Sequence, residues 1–126
     1  MIKQMAITVQ PGITAIEPDE YTIKLGKGTL SHVSVRPANG PNWEVYIRFL
    51  HLESAIIPND NDEWIPLERV ALDFYPQFTL WHDIYAVKVQ LCSPQARYPH
   101  TVQVELTLAE HKTTDQLMEL FIKEGF

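Results

Sequence analysis

Asn59-Asp60-Asn61-Asp62-Glu63 is the densest run of oxygen donors in the chain. A flexible loop rich in carboxylate and amide oxygens is the usual setting for a hard cation such as calcium. The EF-hand spacing fails, however, because a loop starting at Asp60 places Trp64 at its fifth position and Ile65 where the glycine belongs. His32, His51, His82, His100 and His111 form no H-x-H, H-x-x-x-H or H-E-x-x-H pair that would bring two imidazoles to one metal. Cys92 and His100 have the residue types of a nucleophile and its base. Cys92 closes an apolar strand, though, which is the setting of a buried and inert thiol. Asp73 and Asp83 are residues of the type glycosidases pair, but nothing in the sequence sets their separation. Gly26-Lys27-Gly28 lacks the phosphate-binding glycine fingerprint and a following helix, and reads as a turn. No nucleophile, base and oxyanion donor are brought together. The expectation is a protein that is not an enzyme and holds no cofactor or metal.

Aromatic residues offer a different chemistry. Trp43, Trp64 and Trp81, with Tyr46, Tyr75, Tyr85 and Tyr98, can supply a stacking platform for sugar rings or an aromatic protein interface. Core packing is expected for Trp43 and for at least one of the others.

Composition narrows the partners. With 126 residues, 45% hydrophobic and 21% charged, the chain matches an ordinary soluble globular domain. Its formal net charge of −6 argues against nucleic acid as a partner, since phosphate-backbone binding is driven by clustered Lys and Arg. Cys92 is the only cysteine, so no intrachain disulfide forms, which fits a reducing compartment. Lys3 and Gln4 interrupt the first apolar residues and Pro11 ends them, so no signal peptide is expected. No apolar run approaches the roughly 20 residues of a membrane span. These features fit cytoplasmic synthesis without translocation and no membrane partner, and leave open an extracellular life for something assembled inside a cell and released by lysis.

The elements that must position these residues are mostly strands. Met5, Ile7 and Val9 alternate with polar or small residues up to Pro11-Gly12, and residues 12–20 read as a loop, so residues 1–20 can serve as an N-terminal arm. Tyr21 to Leu25 and Thr29 to Val35 flank Gly26-Lys27-Gly28, the pattern of a β-hairpin with a three-residue turn. Turn formers concentrate in PANGPN, residues 37–42. The next stretch, residues 43–52, alternates Trp43, Val45, Ile47 and Phe49 on one face with Glu44, Tyr46, Arg48 and Leu50 on the other. Residues 53–68 read as a long surface loop anchored by Ile56, Ile57, Trp64 and Ile65. A strand over 69–75 would set Val70, Leu72 and Phe74 on one side, and residues 78–84 read either as a short strand or as a packed corner. Tyr85 to Leu91 and Val102 to Leu108 are the clearest strands. The period then changes: Thr113 and Gln116 have capping-box spacing, and Leu117, Met118, Leu120, Phe121 and Ile122 predict a short C-terminal helix over 114–123, ended by Gly125.

Seven to eight short strands with no crossover helices predict a mainly β protein. It would be a single domain over 1–126, an antiparallel β-sandwich of jelly-roll or immunoglobulin-like topology. The ANGPNW turn at 38–43, the PNDNDEWIPL loop at 58–67 and the SPQARYPH loop at 93–100, in a short β-rich chain, resemble small β-sandwich structural proteins of tailed-phage virions. That resemblance implies a capsid decoration, neck or tail accessory role, with many copies bound to a symmetric lattice or ring.

The expected function is therefore a structural or assembly protein that forms homo-oligomers and binds other structural proteins. Tyr46, Leu50 and Leu52 interrupt what should be a polar outer face, so the C-terminal helix or a partner must cover them. With Trp64, Trp81 and Tyr98 they make up the expected partner-binding set. The alternative is a carbohydrate-binding sandwich in which exposed Trp64, Trp81 and Tyr98 stack on a glycan.

Overall fold

The computed structural model describes residues 1–37, 44–60, 63–68, 70–80 and 85–110. Trp43, Trp81, Asp83 and the expected helix over 114–123 lie outside the described residues. Among the described residues ten strands follow in order: β1 (Ile2–Val9), β2 (Asp19–Lys24), β3 (Gly28–Pro37), β4 (Tyr46–His51), β5 (Ser54–Ile57), β6 (Ile65–Pro66), β7 (Leu72–Phe74), β8 (Phe78–Thr79), β9 (Ala86–Cys92) and β10 (His100–Glu110). No helix among the described residues is long and apolar enough to cross a membrane.

The strands form two antiparallel sheets. One has the order β1-β10-β3-β7, with β8 also on β3, and the other has the order β2-β9-β4-β5, with β6 also on β4. Alternate residues of both sheets turn inward into one apolar layer that includes Ile7, Val35, Ile47, Phe49, Val89 and Val104. Each large side chain fully buried there contributes about 1.5–3 kcal/mol. The architecture is thus sandwich-like, with a mainly β chain as expected.

Several local expectations change once pairing partners are known. The hairpin across Gly26-Lys27-Gly28 does not form, because β2 pairs with β9 while β3 pairs with β10, β7 and β8. Ile23 and Leu30 both belong to the shared core, so the two strands face each other across it instead of lying side by side. A turn specifies where the chain reverses; the apolar face of each strand decides which layer it joins. Residues 2–9 are likewise no free arm, since β1 pairs with β10 in unbroken register from Ile2↔Thr107 to Val9↔His100. The connection that follows is tied down where Gly12 N donates to Ser93 O at 2.9 Å and Ser93 N donates to Ile13 O at 2.7 Å.

Within β3 the pairing with β10 shifts between Thr107 and Leu108, leaving Ser31 as an extra residue. This bulge lets Leu30 and Val33 both reach the core, where strict alternation would have put them on opposite faces. Val70 is exposed and not aligned inward with Leu72 and Phe74, which are partly buried against the core.

The β4–β5 hairpin is closed by Leu52 and Glu53 with φ of 51° and 70°. Two consecutive left-handed residues are the backbone of a type I′ turn, which favours Asn-Gly. Non-glycine residues there pay roughly 1–2 kcal/mol each. Replacing Leu52-Glu53 by Asn-Gly should therefore raise folding stability by about 1–2 kcal/mol in urea denaturation. An unchanged or lowered midpoint would contradict this turn geometry.

Candidate functional site

Three surfaces of the sandwich carry chemistry, and each follows from strand register. The first is the outer face of the β2-β9-β4-β5 sheet. Val45, Ile47 and Phe49 point into the core, so Tyr46, Arg48 and Leu50 point out. Glu20, Gln90 and Arg48 are register partners across β2, β9 and β4. Arg48 Nε donates to Gln90 Oε1 at 2.8 Å, and Gln90 Nε2 donates to Glu20 Oε1 at 2.8 Å. The guanidinium lies 4.3 Å from the Trp64 ring centroid, a cation–π contact that occupies one face of the indole. Lys88, paired with Glu53, has its ammonium pKa raised, chiefly by that bond.

This face gathers part of the expected set. Leu50 is only 4% exposed within the single chain, so it has little surface left for a partner. Tyr46 is half-buried opposite Cys92, and Leu52 is half-buried at the hairpin tip. Trp64 is half-buried over Arg48, whereas Tyr98 stands 69% exposed on the loop after β9. Trp81 lies outside the described residues, as do Asn61 and Asp62 of the acidic loop.

Cys92 and His100 stand on strands of different sheets, β9 and β10. His100 Nε2 sits 3.4 Å from Glu44 Oε2, and the buried thiol has its pKa pushed up to about 11 by desolvation. Other histidines are likewise engaged: His51 Nδ1 donates to Ala86 O at 3.0 Å, and its ring meets Phe78 edge-on at 5.4 Å.

The second surface is the outer face of the β1-β10-β3-β7 sheet. Gln4, Glu105, Ser34 and Asp73 are successive register partners, forming one polar row across four strands. Gln4 Nε2 donates to Glu105 Oε2 at 2.8 Å. His32 Nε2 lies 2.8 Å from Asp73 Oδ1, and its ring stacks on Tyr75 with centroids 4.9 Å apart. The Ser34 hydroxyl is buried and makes no hydrogen bond among the described residues. An orphaned hydroxyl costs about 1–3 kcal/mol and calls for an explanation. Nothing in the local sequence marks this row, because its members come together only when β1, β3, β7 and β10 are correctly ordered.

The third surface is the β1 edge, which no other described strand pairs on its outer side. Met1 N donates to Leu108 O at 3.0 Å and Leu108 N donates to Met1 O at 2.8 Å, so odd-numbered residues of this segment turn their backbone groups toward β10. The N–H and C=O groups of Ile2, Gln4, Ala6 and Thr8 therefore face away from the sheet. Beside this edge a groove of about 330 Å³ runs between β1 and β2, lined by Lys3, Met5, Ile23 and Lys24 among others.

No protein-family model matches the chain, and no curated protein matches it in sequence.

The raised thiol pKa gives a pH prediction. Because the folded-state value lies above the ordinary 9.0, the thiol's contribution to stability is complete below about pH 9 and falls as pH rises toward 11. A Cys92→Ala variant should lose less stability than the parent over that window, and native Cys92 should resist alkylation at pH 8. Rapid alkylation of the folded protein would contradict the buried thiol.

Proposed function

We propose that the protein is a non-enzymatic structural module that self-associates through the β1 edge. The observation that carries this reading is the edge itself. β1 spans Ile2–Val9 without proline or bulge, and its outward-facing residues Ile2, Gln4, Ala6 and Thr8 carry no charge. Exposed edges of this length are ordinarily blunted by a bulge, a proline or several charges, because unpaired N–H and C=O groups template another strand. Here Lys3 is the one charge on the strand.

A second copy fits this edge best. Antiparallel pairing of two β1 strands about Met5 sets Ile2 against Thr8 and Gln4 against Ala6, the residues whose backbone groups point outward. Lys3 then stands opposite Ile7 and not opposite its own copy, so no like charges meet. The pairing is isologous and joins two sheets into one. It also covers the apolar wall of the neighbouring groove with the partner's Met5 side chain. Ile2, 59% exposed in the single chain, gains a neighbour.

The strand order β1-β10-β3-β7 over β2-β9-β4-β5 supports assigning the sandwich to the jelly-roll type. That architecture serves viral capsid and lectin domains alike, so it accommodates a role as a decoration, neck or tail component of a tailed-phage virion but does not select one. Assembly with other structural proteins of such a particle is part of the proposal.

Substituting Ala6 by proline tests the edge. Its N–H points away from β10, so the monomer loses no hydrogen bond of its own, whereas a pairing strand loses one and meets the ring. The parent should be oligomeric by light scattering at high concentration. The Ala6→Pro variant should be monomeric with an unchanged circular dichroism spectrum. A parent that stays monomeric, or a folded Ala6→Pro variant that still associates, would overturn the reading.

A further inference from the structure

We propose that the outer face of the β1-β10-β3-β7 sheet binds a neutral carbohydrate in the depression above Ala6 and Ser34. This site is built from one chain and does not depend on association at the β1 edge. Its floor is formed by the two short side chains, Ala6 and Ser34, set among the longer Gln4, Gln103, Arg36 and Glu105. Two short residues in a lattice of long ones leave a hollow of about 300 Å³, enough for a single sugar ring.

The chemistry of the lining selects the ligand class. Gln4 and Gln103 bring amides that both donate and accept, Glu105 brings carboxylate acceptors, and Arg36 brings guanidinium donors. A ligand that presents adjacent hydroxyls, each donor and acceptor at once, matches this mixture; a purely anionic or purely apolar ligand leaves half of it unpaired. One carboxylate and one guanidinium also balance in charge, so the hollow has no strong preference for an ion.

Ser34 supplies an independent observation. The residue is 2% exposed, lines the hollow, and its hydroxyl is the buried side-chain group left without a hydrogen-bond partner among the described residues. A sugar hydroxyl seated above it would provide that partner. Beside it, Asp73 is the register partner of Ser34 on β7, and Asp73 in turn holds His32. Tyr75 stacks on His32 while remaining 69% exposed, so its outer ring face is available to the apolar face of a sugar. Polar groups at the hollow and an exposed ring beyond Asp73, on the β7 side of the same face, would place a longer glycan across the polar row, its chain continuing toward β7.

The residues differ from those expected on sequence grounds. Trp64 has one face committed to Arg48 and Tyr98 stands on the loop after β9, whereas the β1-β10-β3-β7 face combines an exposed ring with a polar hollow.

Isotope-labelled protein titrated with glucose, galactose, mannose, N-acetylglucosamine, cello-oligosaccharides and chito-oligosaccharides, and followed by amide NMR, tests the site. At least one sugar should produce saturable shifts at residues 4, 34, 36, 103 and 105, with a dissociation constant on the order of a millimolar. Tyr75→Ala and Gln103→Ala both alter exposed side chains and should fold normally. Each should weaken that binding by roughly tenfold. The proposal is overturned if no sugar shifts these amides at ~50 mM, or if shifts persist unchanged in both variants. A response to inorganic phosphate at Arg36 with none to sugars would also overturn it, because the hollow would then be an anion site.

Discussion

The buried alternation of β10 and its neighbours governs everything else in this fold. Val102, Val104, Leu106 and Leu108 are driven into the core, and because strand side chains have a period of two, the same force places Gln103 and Glu105 on the outer face. A slip of one residue would bury Glu105 and expose Leu106, at a cost no turn could recover. The registers of β1 and β3 against β10 are therefore set by hydrophobic burial, and the polar row from Gln4 to Asp73 is a consequence of it. The corresponding row from Glu20 through Gln90 to Arg48 arises in the other sheet from the same constraint on β9 and β4.

The two rows end differently. In the β2-β9-β4-β5 sheet each polar group finds the next: Arg48 binds Gln90, Gln90 binds Glu20, and Trp64 covers the guanidinium. That row is satisfied and acts as a lid over the sheet. In the β1-β10-β3-β7 sheet the Gln4–Glu105 bond and the His32–Asp73 bond flank a Ser34 hydroxyl that neither pair satisfies. This contrast between a completed row and an interrupted one is the ground for proposing a ligand on the β1-β10-β3-β7 face and not on the other.

What was legible in the sequence was whatever depends on one strand alone. The alternations at 85–91 and 102–108, the apolar face of Ile47 and Phe49, the burial of Cys92 and the mainly β class all follow from period and composition. What depends on pairing was not legible. Gly26-Lys27-Gly28 has the composition of a hairpin turn but spans the two sheets, since the partners of its flanking strands are β9 and β10, far along the chain. The Leu52-Glu53 turn has no sequence signature because it uses residues that a type I′ turn disfavours. Of the expected partner-binding residues, Leu50 is already covered within the chain. The polar row and the β1 edge have no local signature: Gln4 and Glu105 become neighbours only through long-range register, and the edge arises because β1 ends the order of the described strands.

Amide hydrogen exchange along β1 tests the central claim most directly, because register, edge position and self-association all write to the same eight residues. The account predicts alternation in dilute protein, with the amides of Lys3, Met5, Ile7 and Val9 protected by β10 and those of Ile2, Gln4, Ala6 and Thr8 exchanging freely. At high concentration the even-numbered amides should become protected as a second β1 strand pairs with them. Uniform protection in dilute protein, or even-numbered amides that remain fast at every concentration, would contradict it.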